Sequence, residues 1–293
     1  MMFERIAIIG LGLLGSSLAR AIRRQLPDAK LTGYDASADV RAKAGELDLV
    51  HAIAADPAEA VRDADLVLLC VPVGAMETAG RAIAPGLSDD VLISDVGSCK
   101  QSVTDALAAA LPGRAVIPAH PVAGTEQSGP EAGFASLFAG RWCILTPPEG
   151  ADPAKLKALT TFWETLGSKV EVMDAQHHDL VLAVTSHLPH LIAYTIVGTA
   201  SDLEEVTRSE VIKYSAGGFR DFTRIAASDP TMWRDVFLNN KDAVLEMLQV
   251  FTEDLTRLQR AIRRNDGEAL FDLFSKTRDI RRSIIEEGQA EGD

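Results

Sequence analysis

The apolar run Arg5-Ile-Ala-Ile-Ile9 leads straight into Gly10-Leu-Gly-Leu-Leu-Gly15, and a helical pattern follows from Ser16 to Arg24. A short continuous apolar run is what a strand buried on both faces of a parallel sheet looks like. The three glycines between such a strand and a helix have separate tasks. Gly10 permits the tight turn, Gly12 lets the backbone approach a pyrophosphate, and Gly15 lets the helix close on the strand. Leu13 and Leu14 belong to the same phosphate-facing turn. The phosphate then rests on the helix N-terminus, where free N–H groups and the macrodipole favour an anion. Asp35 lies 20 residues beyond Gly15, at the end of the next strand-like segment, Lys30-Leu-Thr-Gly-Tyr34. An acid at that place binds the ribose 2′-hydroxyl and repels a 2′-phosphate, so NAD is expected rather than NADP. A plain strand-end aspartate is the alternative.

The pattern then repeats. Helical segments are expected at 39–47, 57–62 and 73–83, with a further helix to Leu111 entered through Gly97-Ser-Cys-Lys100, and strands at 49–54, 65–71, 91–95 and 114–118. Strands alternating with helices mean βαβ units and a mostly parallel sheet. Val71 and Pro72, at the end of the fourth strand, are expected to line the nicotinamide side of the cleft, although a simple strand stop explains them equally well. After Pro147-Pro148 the texture changes to an amphipathic helix at 153–166 and a last strand at 169–173. From Gln176 onward almost everything reads helical, interrupted at Gly217-Gly218 and Pro230. The boundary is placed near 174, giving an α/β domain at 1–174 and a helical domain at 175–293. Val244, Leu248, Phe251, Leu255, Leu258 and Ile262 are spaced 4, 3, 4, 3, 4. That seam packs against a neighbouring helix. The neighbour is either inside the domain or in a second copy, with Leu270, Phe274 and Ile284 on the adjoining helix. A helical domain this small gains buried area by pairing, so a homodimer is expected.

Composition limits the partners. Acidic residues outnumber basic ones 42 to 29, a formal charge of -13. This argues against nonspecific nucleic-acid or anionic-membrane binding, and an anionic ligand would need local cations. The three cysteines, Cys70, Cys99 and Cys143, are far apart and suit free thiols in a cytoplasmic protein. No apolar run approaches the ~20 residues of a membrane span, and no signal peptide is read at the start.

Several groups could do chemistry beside a nicotinamide. His120, in Ala119-His-Pro-Val-Ala-Gly-Thr-Glu126, is expected just past the carboxyl end of a strand, where open α/β sheets bind ligands. Ser98, in Asp95-Val-Gly-Ser-Cys-Lys100, could cap the following helix or hydrogen-bond a ligand. Thr185-Ser-His-Leu-Pro-His190 brings His187 and His190 to one helical face. The cysteines are misplaced for a metal and no carboxylate has the matching spacing, so no metal is expected. His177 and His178 read as a solvated helix start. In Gly217-Gly-Phe-Arg-Asp-Phe-Thr-Arg224, an arginine could clamp a carboxylate or make a surface salt bridge.

Taken together, Gly10-x-Gly-x-x-Gly15, Asp95-x-Gly-Ser98, His120-Pro-Val-Ala-Gly-Thr-Glu126, His178-Asp179, Ser186-His-Leu-Pro-His190 and Gly218-Phe-Arg-Asp-Phe-Thr-Arg224 run in one order over nearly the whole chain. In this the chain resembles the prephenate dehydrogenase family, which includes arogenate and cyclohexadienyl dehydrogenases of tyrosine biosynthesis. The resemblance implies a Rossmann-type domain followed by a helical dimerisation domain. It also implies NAD-dependent oxidative decarboxylation of a cyclohexadienol. His120 would take the C4 hydroxyl proton as hydride leaves C4, and Ser98 would hold the hydroxyl or His120 in line. Arg224 would bind a substrate carboxylate and His190 the other end. Ser186, Glu126, Asp221 and Trp233 match positions near the site, and Glu126 could instead only pair with a nearby cation. Prephenate and arogenate differ by a keto or an amino group on the side chain. His190 and the Gly218 position incline the reading to prephenate, with dual use as the alternative. Nicotinamide enzymes that rely on a lysine in a helical domain are a rival, for which Lys213 is the only candidate early in that domain, with no supporting motif. A noncatalytic nicotinamide sensor is another.

Overall fold

The computed structural model describes residues 3–202 and 217–284; Lys213 lies outside them. Six strands form one parallel sheet in the order β3-β2-β1-β4-β5-β6: β1 Arg5–Ile9, β2 Lys30–Tyr34, β3 Ala52–Ile53, β4 Leu66–Leu69, β5 Leu92–Asp95 and β6 Ala115–Val116. Alternate residues feed two cores, as the two-residue strand period requires. Ile6, Ile8, Leu66, Leu68 and Leu92 face one core; Ala7, Ile9, Val67, Leu69 and Ile93 face the other. Helices α1 Leu13–Gln25, α2 Ala38–Glu46, α3 Pro57–Ala60, α4 Met76–Ile83 and α5 Gln101–Ala110 make the crossovers. The chain leaves β1 toward β2 and returns on its other side as β4. That reversal opens the ligand crevice of such sheets beyond the strands' carboxyl ends.

Residues 114–118 do not form one strand carrying His120 at its end. Pairing with β5 stops at Val116, and Pro118 has no N–H to continue it. The chain then joins a second sheet, β7-β8-β9, made of β7 Ala119–Pro121, β8 Trp142–Leu145 and β9 Lys169–Val172. His120 therefore sits inside β7, opposite Ile144 of the antiparallel β8. Strand β8 has four residues and no alternation, too little for a periodic signal. Helix α6, Pro153–Thr165, connects β8 to β9, which run parallel.

One buried ion pair ties the two sheets together. Asp95 ends β5, and its carboxylate accepts bonds from Gly97 N at 2.7 Å, Ala119 N at 3.1 Å and Lys100 Nζ at 2.5 Å. The Lys100 ammonium also donates to the Ala119 carbonyl at 2.7 Å. Neither side chain is exposed. The residue before His120 is thus held on both its backbone groups.

Beyond β9 the regular elements among the described residues are helices. Asp174 caps α7, Ala175–Leu182, by accepting the His177 N–H at 2.8 Å. A π-helical turn, Ala183–His187, leads into α8, Leu188–Ser201. Pro189 accounts for the widened turn. It lacks an N–H, and its ring would press on the carbonyl one regular turn earlier. By length and composition alone, the continuous helix Ala175–Ser201 is apolar enough to cross a bilayer, contrary to the sequence expectation. Its buried face, however, carries His178, Asp179 and His187. They are hydrogen-bonded to other elements of the protein. Helix α9 spans Gly217–Thr223, and α10, Pro230–Asn239, is capped by Asp229. Pro230 opens that helix rather than breaking one.

Contacts divide the chain into one unit ending at Val244 and a second beginning at Leu245. The second holds most of α11, Lys241–Arg263, and all of α12, Gly267–Ile284. Of its apolar seam, Leu255 is 47% exposed, Ile262 62% and Phe274 55%, while Leu248, Phe251, Leu258 and Leu270 are half-buried. The Ile284 side chain lies outside the described residues.

Removing one partner of a buried ion pair leaves an uncompensated charge, which costs about 3–5 kcal/mol. Lys100→Met should lower the free energy of urea unfolding by about that amount, and a loss under about 1 kcal/mol would mean that the pair does not hold the sheets together.

Candidate active site

At the carboxyl ends of β1 and β4 the glycines divide as their spacing predicts. Gly10 has φ +97°, and a Cβ there would lie 2.4 Å from the Cys70 carbonyl oxygen. A Cβ on Gly15 would lie 1.9 Å from the Gly10 oxygen. Gly12 alone faces open space, with nothing within 4 Å of an added Cβ. It is also the N-cap of α1, with no side-chain cap bond, so the first amides of that helix, including those of Leu13 and Leu14, are left for an anion. Asp35 lies beside this loop. Its Oδ2 accepts from Leu11 N at 2.8 Å and its Oδ1 from Ser37 N at 2.9 Å. Each carboxylate oxygen keeps a further lone pair, which fits a ribose diol. Val71 and Pro72 follow β4 on the neighbouring edge.

His120 is 7% exposed and belongs to a hydrogen-bonded chain of three residues. Its Nδ1 lies 2.8 Å from His178 Nε2, and His178 Nδ1 lies 2.8 Å from Asp179 Oδ1. Asp179 also accepts the first backbone amides of α5, from Lys100 at 2.7 Å and Gln101 at 3.0 Å. His178 is fully buried, which overturns its reading as a solvated helix start; only His177 is exposed. The sequence shows two adjacent histidines but not which one the fold turns inward. Ser98 is half-buried, and the cap of α5 comes from Asp179 instead, so Ser98 is not the helix cap.

Electrostatics follow from this packing. Burial holds His120 well below the ordinary histidine value, and the neighbouring His178, Lys100 and His187 push the same way. Burial also lowers His178, outweighing its bond to Asp179. Burial would raise Asp179, but the donors His178, Lys100 N and Gln101 N outweigh it and hold the carboxyl below its usual range. His187 is lowered by burial to about 4. All three histidines are thus neutral at pH 7, beside an ionised carboxylate.

The helical side brings together Ser186, His190 and Trp233. His190 Nδ1 lies 2.8 Å from the Ser186 carbonyl, and its ring stacks on Trp233 with centroids 3.6 Å apart. Burial lowers His190 as well, against the Ser186 bond that raises it. Asn240 donates to the Asp179 carbonyl at 2.8 Å and lies 3.0 Å from His187 Nδ1, so His187 Nε2 keeps the proton. That Nε2 is buried without a partner among the described residues. Arg224 lies 3.4 Å from Glu126, an exposed pair that joins the loop after β7 to the helices. Asp221 pairs instead with Arg220 at the surface. Lys100, Asp95, His178 and Asp179 stand inside the quoted motifs, but nothing in their spacing shows that they converge. Asn240 has no sequence signal. No cluster of metal-binding residues occurs among the described residues.

Two family models match the chain. The prephenate dehydrogenase nucleotide-binding domain covers residues 18–172, and the prephenate dehydrogenase dimerization domain covers 174–276. A cyclohexadienyl dehydrogenase of Zymomonas mobilis is 46% identical over 96% of both chains. A prephenate dehydrogenase of Bacillus subtilis is 33% identical over 97% of this chain and 76% of its own. The crystal structure of prephenate dehydrogenase from A. aeolicus, in complex with hydroxyphenyl propionate and NAD+, superposes with a TM-score of 0.90. It is 34% identical and covers 97% of this chain and 99% of its own.

A histidine held neutral in the fold is protonated more readily once unfolded. The stability it contributes is complete above the unfolded value near 6.5 and is lost as the pH falls below it. The unfolding free energy should therefore drop between about pH 6.5 and 4, by up to ~1.4 kcal/mol per pH unit for each such histidine. His187→Gln should flatten that slope by one histidine's share. A stability that does not change across this window would contradict the neutral cluster.

Proposed function

From its membership of the prephenate dehydrogenase family and the environment of His120, we propose that this chain catalyses the NAD-dependent oxidative decarboxylation of prephenate to 4-hydroxyphenylpyruvate in tyrosine biosynthesis. The observation that carries the reading is a buried histidine, kept neutral at pH 7 and so ready to accept a proton. Bound NAD supplies the hydride acceptor. Gly10, Gly12, Leu13, Leu14 and Gly15 hold its pyrophosphate, Asp35 its ribose, and Val71 and Pro72 border its nicotinamide.

His120 takes the proton of the C4 hydroxyl as hydride leaves C4, and Ser98 keeps the hydroxyl and the ring in line. The electron pair of the C1–carboxylate bond then enters the ring as CO2 leaves, and the C4 carbonyl becomes a phenol oxygen. The balance leaves no proton over. Substrate dianion and NAD give the arylpyruvate anion, CO2 and NADH, so His120 returns its proton to the oxygen it came from. A base that only borrows a proton needs no path to bulk water, which suits its burial. Arg224 exchanges its exposed partner Glu126 for a substrate carboxylate and supplies the local cation that the net charge of -13 calls for. Asp221 stands near it on the same helical segment. His190, braced by Ser186 and by stacking on Trp233, meets the other end of the substrate.

The name of the Z. mobilis relative, a cyclohexadienyl dehydrogenase, favours a wider reading in which arogenate is also accepted. The protein is further proposed to act as a homodimer. The matched dimerization domain and the uncovered apolar residues of α11 and α12 support this.

With NAD and prephenate, NADH absorbance should rise, and paired kcat/KM values for prephenate and arogenate measure the preference. His120→Asn should lower kcat by about 10²- to 10⁴-fold with little change in KM. Arg224→Gln should mainly raise KM. Turnover of His120→Asn near that of the wild type would remove the general-base role. Sedimentation should show a dimer at micromolar concentration, and a monodisperse monomer would remove that assignment.

A further inference from the structure

We propose that His178 and Asp179 are positioning residues that fix the tautomer of His120 and so select Nε2 as the atom that takes the substrate proton. This rests on the dehydrogenase reading above and names how its base is prepared. Three donors converge on the Asp179 carboxylate: the backbone amides of Lys100 and Gln101 and the ring of His178. A carboxylate at a helix N-terminus is ionised and can only accept. His178 must therefore carry its proton on Nδ1. As a neutral ring it then has a bare Nε2, which can only accept. The group 2.8 Å from that nitrogen is His120 Nδ1, which must supply the proton. His120 is left with a bare Nε2. The opposite tautomer of either ring would set two lone pairs face to face, or leave Asp179 without its ring donor.

The same chain prepares the transient cation. When Nε2 takes the substrate proton, the Nδ1–H of the new imidazolium is already bonded to His178, and Asp179 supplies the countercharge beyond it. Two backbone donors oppose protonation of Asp179, so the charge stays on the imidazole pair. The proton is then available to return to the substrate oxygen. A buried carboxylate that fixes a histidine's tautomer and stabilises its imidazolium is an established device of catalysis. Here a second histidine stands between the two, and the carboxylate also caps α5. The start of the nucleotide-domain helix and the orientation of the base thus depend on one side chain.

The test uses the full chain labelled with ¹⁵N-histidine. The nitrogen resonances of His120, assigned by their loss in His120→Asn, report the tautomer without any turnover. The wild type should show His120 protonated on Nδ1 and bare on Nε2. Kinetics supply a second readout. His178→Leu should lower kcat by about 10²-fold or more with KM within about twofold, because it disorders the base without touching substrate. His178→Gln, whose amide oxygen can still accept the His120 Nδ1–H, should recover at least about tenfold of that loss. Asp179→Asn keeps an oxygen for the α5 amides but removes the obligatory acceptor, and should give a mixture of His120 tautomers. A wild-type enzyme that turns over with His120 protonated on Nε2 would overturn the proposal and leave the dehydrogenase reading intact. So would a His178→Leu variant with undiminished kcat. A protein with the expected tautomer that reduced NAD with neither substrate would support the tautomer assignment and sink the dehydrogenase reading instead.

Discussion

The site depends on one buried ion pair. Lys100 and Asp95 have no exposed side-chain surface, and between them they bind both backbone groups of Ala119, the residue before His120. A buried pair of this kind offsets its desolvation only when further hydrogen bonds fill the remaining positions, and here they do, through Gly97 N and the two Ala119 groups. Its use is geometric. It fastens the short strand that carries His120 to the end of a central strand of the nucleotide-binding sheet. The lysine charge also stays close enough to His120 to help keep that ring neutral.

A second carboxylate extends the arrangement into the helical region. Asp179 caps the helix that begins one residue after Lys100, and through His178 it reaches His120. Asn240 takes the Asp179 backbone carbonyl and adjoins His187. Polar groups buried at such density are tolerated because nearly every one has a partner. Among the described residues His187 Nε2, in the histidine cluster itself, is one exception, and Trp233 Nε1 beside it is another.

The legible parts of the fold were the local ones. Strands β1 and β4, the glycine loop and Asp35 announce themselves because one segment's residues suffice to define the turn, the helix start and the acid. Strand β8 and the placement of His120 inside a strand were not legible, because two- to four-residue strands carry no period and Pro118 divides one expected strand into two. The site was legible as a set of motifs rather than as contacts. Glu126 and Arg224 were both singled out, yet their pairing joins residues 98 apart in sequence. The burial of His178 could not be read at all, since adjacent histidines at a helix start look alike until packing chooses one. Lys100 looked like any charged residue ahead of a helix, and only the position of Ala119 in space gives it a task.

On the proposed function His120 is a neutral base at the pH of catalysis, kept so by burial and by His178, Lys100 and His187 around it. The pH profile of kcat/KM tests it most directly, since its acid limb reports the essential base of the free enzyme. That limb should lie well below the ordinary histidine value of about 6.5, with a plateau through neutrality, and should vanish from the residual activity of His120→Asn. An acid limb at or above about 6.5 would mean that His120 is charged when it should accept a proton, which would contradict its role as a neutral base.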